Sequence, residues 1–138
     1  MKRIEPLLNS IKNHSNLREV LSDRKLAALG DAYVNFVYSL ALTIKTSKPC
    51  GKKTKGSTLA EGLKRAGLRK LLPSGMNKHD ISDAAEAFLV SAWLLDLITM
   101  EESVEILVDS ENLEEGFVTL LRNAKERIRL SGLFPVLC

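Results

Sequence analysis

Three acids stand in settings that ordinarily exclude them. Asp31 interrupts the apolar run Leu26-Ala27-Ala28-Leu29-Gly30-Asp31-Ala32-Tyr33-Val34, and Asp83 and Glu86 open a stretch, Asp83 to Ile98, that is apolar on almost every side. A carboxylate among such neighbours loses hydration that something must compensate. Asp83 and Glu86 are three residues apart, hence on one helix face, and that face continues as Val90, Trp93 and Leu97. Carboxylates converging from two packed helices raise each other's proton affinity unless a cation lies between them. Hard oxygen donors of this kind suit Mg2+, with Mn2+ as a substitute. Gly30 costs about 1 kcal/mol of helix propensity relative to alanine, which points to a close helix approach beside Asp31. Two other arrangements stay open. Asp31 could pair with an arginine or cap a neighbouring element, and Asp83 and Glu86 could simply occupy a first turn, where the helix dipole favours acids.

The charge surrounding these acids is unevenly spread. Residues 1–40 hold six basic and four acidic side chains, residues 41–80 ten and two, and residues 81–138 four and eleven, so the balances are +2, +8 and −7. The central segment contains Lys45, Lys48, Lys52, Lys53 and Lys55. It is either an electrostatic footprint for a polyanion or a solvated lysine-rich loop. With 138 residues, 45% hydrophobic and 27% charged, the composition is that of one soluble globular domain covering residues 1–138. Collagen-like, disordered and disulfide-framework classes are set aside. Cys50 and Cys138 lack metal-site spacing and are expected to be free thiols. The opening Met1-Lys2-Arg3-Ile4-Glu5-Pro6 carries an acid and a proline where an export signal has an apolar run, and Ala84 to Met100 is broken by Glu86 and Asp96. A cytoplasmic location without membrane association is the expectation.

The elements that must position the acids read as helices throughout. Period-2 alternation is absent, while apolar residues recur at helical spacing, which predicts an all-α domain of six to seven helices. Ile4, Leu7, Leu8 and Ile11 form a first stripe, followed by the turn-prone His14-Ser15-Asn16. A long helix is predicted over Asp23 to Thr46, then a loop bracketed by Pro49, Gly51 and Gly56. Ser57 or Thr58 is expected to cap a short helix running through Arg65 and ended by Gly67. Asn77 or Asp80 is a candidate cap for the helix Asp83 to Ile98, which must be central or lie at a subunit interface. Thr99 with Glu102, and Asn112 with Glu115, have capping-box spacing ahead of two closing helices.

Taken together, the chemistry-bearing residues resemble the endonuclease domain of the ribonuclease III family. Leu26 to Asn35 looks like the family signature L-E-F-L-G-D-A-V-L-N. Gly56-Ser57-Thr58-Leu59-Ala60-Glu61 resembles G/S-N-x-L-A-E, and Asp83-Ala84-Ala85-Glu86-Ala87-Phe88 resembles D-x-x-E-A-L. Order and approximate spacing match from about Asp23 to Asp96. The resemblance implies an all-helical fold and a homodimer with an RNA-binding valley along the subunit interface. It also implies Mg2+-dependent hydrolysis of phosphodiesters in double-stranded RNA, each subunit cutting one strand. Carried over position by position, Asp31, Asp83 and Glu86 match the family's acidic metal-site residues. The length leaves no room for an appended double-stranded-RNA-binding domain, so the chain is expected to be similar to compact family members.

One departure stands out. The family's glutamate four residues before the G-D aspartate is here Ala27, and the glutamate further upstream is Arg24. Asn35 and Glu61 are candidate substitutes, as oxygen ligands or as groups that orient water. Because double-stranded RNA is read through its shape, phosphates and ribose hydroxyls, Lys45, Lys48, Lys52, Lys53, Lys55, Ser57, Lys64 and Arg65, with Arg69 and Lys70, are the expected backbone contacts. His14 and His79 lie outside all three motifs and are read as surface or capping residues. The alternative to a nuclease is a catalytically silent relative that binds structured RNA through the same fold.

Overall fold

Residues 2–135 are described by a computed structural model of the chain. After a short 3-10 turn at Lys2–Ile4, seven α-helices follow among the described residues: α1 Glu5–Lys12, α2 Leu17–Leu21, α3 Arg24–Thr46, α4 Gly56–Arg65, α5 Lys78–Leu94, α6 Met100–Asp109 and α7 Leu113–Ser131. No strand occurs among them, in agreement with the all-α expectation.

The arrangement is dictated by α5. Between Ile81 and Ala92 every residue except Asp83 is buried, so the helix has no face to give to solvent and must be surrounded. It is the hub of the chain, packed against α3, α4, α2 and α7, while α6 bridges α3 and α7. Phe88 and Phe117 are the largest wholly enclosed side chains of the resulting core. α3 meets the length and mean hydropathy of a membrane span, yet it lies against α5 and α6 and carries a row of polar residues described below.

Local signals set most helix ends. Asp23 caps α3 by accepting from the backbone N–H groups of Lys25 and Leu26 at 3.0 and 3.1 Å. Thr99 and Glu102 form the expected reciprocal capping box at the start of α6, with bonds of 3.0 and 3.1 Å. Asn112 accepts from Glu115 N–H at 2.9 Å, but the Glu115 carboxylate turns to Arg65 instead of closing a second box. Gly67 ends α4 at φ +82°, as expected.

Three expectations are corrected. α5 starts at Lys78, five residues before the predicted Asp83, because Asn77 caps it by accepting from Asp80 N–H at 2.8 Å. It also stops at Leu94 instead of Ile98. There Asp96 takes φ +59°, and Leu97 N–H reaches back to the Ala92 carbonyl at 3.0 Å, a Schellman-type ending. Ser57 and Thr58 do not cap α4: Gly56 begins the helix, and extended Lys55 precedes it without a side-chain cap. Finally, α2 was not anticipated from the sequence. Asn16 starts this five-residue helix by accepting from Glu19 N–H at 3.1 Å, and Leu17, Val20 and Leu21 tuck under the core. Cys50 is a free, half-buried thiol, whereas Cys138 lies outside the described residues.

Candidate active site

The site forms where α3 crosses α5, and Gly30 makes the crossing possible. A Cβ at residue 30 would lie 2.2 Å from the Glu86 carbonyl oxygen and 2.5 Å from its carbon. Only glycine lets the two backbones meet here. The contact brings Asp31 of α3 beside Glu86 of α5, with Asp83 one turn earlier on α5.

The acids differ in environment. Glu86 is buried at 5% exposure, Asp83 is half-buried, and Asp31 is exposed. Asp31 therefore does not carry the desolvation that its apolar sequence neighbours suggested. Of those neighbours Leu26, Ala27, Gly30, Tyr33 and Val34 face the core, while Ala28, Leu29 and Ala32 are exposed like the acid itself. Glu86 bears the electrostatic burden instead. Burial, a hydrogen-bonding contact with the Asp31 carboxylate and the nearby charge of Asp83 together push its carboxyl up from the ordinary 4.5 to about 8. Among the described residues neither Asp31 nor Glu86 has a Lys, Arg or His within ion-pair distance. Asp83 alone has such a neighbour, His79 Nε2 at 3.5 Å.

All three acids line an open cleft of about 520 Å³, together with Arg24, Ala27, Lys53, His79 and Ser82. Ala27, where the family signature has glutamate, also borders a smaller hollow of about 110 Å³ next to Asp23, Asp80 and Asp83. Among the described residues no set of three His, Cys, Asp or Glu is drawn together at ion-binding spacing. The three acids thus share a cleft without forming a finished three-ligand cage. The closest association is the Asp31–Glu86 pair, and this pair fits a divalent cation on two grounds. Its donors are hard oxygens, and with no basic group within ion-pair distance the contact between them raises the proton affinity of the buried carboxyl.

The remaining expected residues divide. Asn35 belongs to the site: its Nδ2 donates to Asp31 Oδ1 at 3.2 Å. Glu61 does not. It borders a separate hollow of about 210 Å³ on the outer side of α4, with Lys55, Ser57 and Arg65. Lys53 reaches the acidic cleft, while Lys48, Lys52, Lys55, Ser57, Lys64 and Lys70 are exposed without lining it. Three basic groups are engaged within the chain. Arg65 grips Glu115 in a two-pronged contact at 2.7 and 3.0 Å. Lys45 Nζ donates to the carbonyls of Val108 and Ser110 at 3.5 and 3.3 Å. Arg69 donates to the carbonyls of Leu72 and Pro73.

His79, expected as a surface or capping residue, is exposed and also borders the cleft. It lies four residues before Asp83 on α5, on the same helix face, and the i,i+4 relation becomes visible only once the helix is known to start at Lys78. His14, read as a surface or capping group, bonds to Asp23 Oδ2 at 3.1 Å and braces the start of α3.

No curated protein matches the chain. A family model described as Ribonuclease III matches residues 24–132, a stretch that begins with α3, contains the Gly30 crossing and the whole acidic cleft, and ends at Gly132, which caps α7. The chain belongs to the ribonuclease III family, and at that level it is a nuclease-type protein.

Proposed function

We propose that the chain is a metal-dependent endoribonuclease that hydrolyses phosphodiesters of double-stranded or structured RNA, one strand per subunit of a homodimer. The observation that supports this most is the unneutralised contact between Asp31 and buried Glu86 in a solvent-open cleft with basic side chains at its rim. A packed helix crossing has no stability reason to keep two carboxylates together, since the same space filled with apolar groups costs nothing in desolvation.

Asp31 and Glu86 would hold Mg2+ or Mn2+, with Asp83 alongside. A divalent ion there supplies Lewis-acid stabilisation of the phosphate and lowers the pKa of water. The chain's own residues do the rest. Glu86, whose burial beside Asp31 raises its proton affinity, would have to release that proton for both carboxylates to serve as anionic ligands. The Asn35 amide, donating to Asp31 Oδ1, restricts rotation of that carboxylate. Lys53 and Arg24 line the cleft with positive charge suited to flanking phosphates.

The proposal of a homodimer draws on α3. Leu29 and Phe36, at 43% and 54% exposure, lie seven residues apart on this helix and leave apolar surface open on one of its faces. A second copy covering that surface would set two clefts on one duplex. A solution scattering mass equal to one chain would contradict it.

The second reading, a silent RNA-binding relative, is favoured by two departures from the family signature: buried Ala27 and exposed Arg24 offer no side-chain oxygen where it has glutamates. Incubation with a long RNA duplex and Mg2+ or Mn2+ separates the two. Metal-dependent shortening, abolished by Glu86→Gln without loss of folding, is expected for the nuclease. Binding without cutting, unchanged by that substitution, would establish the silent module.

A further inference from the structure

The polar row on α3 has a regularity that motif matching does not reveal. Asn35, Ser39 and Thr43 are spaced by four, and each side chain bonds to the backbone of the segment that follows the helix. Thr54 N–H donates to Asn35 Oδ1 at 2.7 Å. Lys52 N–H donates to Ser39 Oγ at 2.8 Å, and Ser39 Oγ donates to the Lys52 carbonyl at 3.0 Å. Cys50 N–H donates to Thr43 Oγ1 at 3.1 Å. The bonded positions on the segment are spaced by two and run in the opposite direction.

The spacing works because four helical residues advance about 6 Å and two extended residues about 6.6–6.8 Å. The segment 50–54 is thereby held as a strand-like ribbon along the helix, using side chains in place of a partner strand. Alternate residues then point away from α3; Gly51, Lys52, Lys53 and Lys55 are exposed, and Cys50 and Thr54 are half-buried. Continued by one rung, the same register sets Asp31 opposite Gly56, the first residue of α4, and both border the acidic cleft. Asn35 occupies the last bonded rung and faces both ways: its carbonyl oxygen receives Thr54 N–H, and its amide donates to Asp31 Oδ1 at 3.2 Å.

We infer that Asn35 is a positioning residue that ties the orientation of the Asp31 carboxylate to the docking of the basic segment, so that the group beside Glu86 and the lysines at the cleft are ordered as one unit. The inference deepens the nuclease reading and rests on it for the role given to Asp31. The coupling itself is a property of the metal-free protein.

Residue-level hydrogen exchange on the full chain, without RNA or metal, tests it. Thr54 and Lys52 amides are expected to be protected in the unsubstituted protein. Asn35→Ala is expected to speed Thr54 exchange about tenfold, the equivalent of one net hydrogen bond. Ser39→Ala is expected to do the same at Lys52. Asp31→Ala removes the anchor on the far side of Asn35 and is expected to speed Thr54 exchange severalfold, although residue 31 does not touch residue 54. A merely structural Asn35 would not transmit that change. Asn35→Asp keeps the acceptor for Thr54 and loses the donor to Asp31, so Thr54 exchange is expected to speed severalfold as in Asp31→Ala, short of the Asn35→Ala effect, while kcat on an RNA duplex falls about 10–100-fold, the usual range for lost outer-shell support.

Unchanged Thr54 exchange in Asp31→Ala, or full kcat in Asn35→Asp, would overturn the inference. The exchange data decide the coupling even if the unsubstituted protein cuts no RNA, an outcome that would overturn the nuclease reading alone.

Discussion

Replacing Gly30 with alanine is the most incisive single perturbation of the site, because it adds one methyl group where α3 and α5 touch. The new Cβ would fall 2.2 Å from the Glu86 carbonyl oxygen. Ordinary contact requires roughly 1 Å more, and the obstructing atoms are backbone, which cannot rotate aside. Overpacking of this sort costs about 1–3 kcal/mol, with a backbone clash at the upper end. Alanine returns about 1 kcal/mol through its helix propensity, leaving a net loss of about 2 kcal/mol. For 138 residues the unfolding entropy is about 0.29 kcal/mol/K, so the melting temperature should fall by about 7 °C. The same displacement moves Asp31 away from Glu86, and a shift of about 1 Å at reacting groups can cost about a hundredfold in rate. Gly51→Ala is the control, since nothing lies within 4 Å of a Cβ there, and surface changes of this kind stay within about 0.5 kcal/mol. Thermal melts and duplex cleavage on both variants are the assays. A Gly30→Ala protein that melts at or above the parent and cuts at the parent rate would refute the close-approach argument.

Other consequences follow from charge. Folded Glu86 keeps a proton that the unfolded chain releases, because its carboxyl is pushed from 4.5 to about 8. Metal-free stability therefore declines as pH rises through that window. Glu86→Gln removes the decline: variant and parent should melt alike near pH 4.5, and the variant a few degrees higher at pH 8. Identical pH profiles would contradict the assigned environment of Glu86. Lys53 lines the cleft and Lys55 is exposed two residues further on, so replacing both with alanine should weaken duplex RNA binding and reduce the slope of log K against log[salt] by about one unit for each lost phosphate contact. An unchanged slope would remove them from the interface. Arg65, by contrast, is clamped to Glu115, and Arg65→Ala should leave that slope alone.

What the sequence conveys, and what it conceals, follows from the range of the interactions involved. Buried periodicity fixes α3, α4 and the centre of α5, because an all-apolar helix has one possible place in a small fold. Caps with local partners, such as Asn77 and the Thr99–Glu102 box, can be recognised from spacing alone. Gly30 beside Asp31 announces a close crossing, and α5 provides it. Long-range partners are another matter. Nothing in the spacing of Arg65 reveals Glu115, fifty residues away, so a residue expected to face RNA is engaged within the chain. α2 is only five residues long, too short to show a period. The exposure of Asp31 was missed because apolar neighbours in sequence face other directions around a helix. The Asn35–Ser39–Thr43 ladder mixes a period of four with a period of two, and neither half carries a signal until the two are laid side by side.

The central claim is that Asp31 and Glu86 together take up a divalent cation and that Glu86 is protonated until they do. Calorimetric titration of Mn2+ into the RNA-free protein at pH 7, repeated in buffers of different ionisation enthalpy, measures both parts at once. With the Glu86 carboxyl at about 8, binding should release about 0.9 proton per ion at pH 7 and about 0.1 at pH 9, and Asp31→Asn and Glu86→Gln should each abolish the binding heat. Binding without proton release, or binding that survives both substitutions, would contradict the claim.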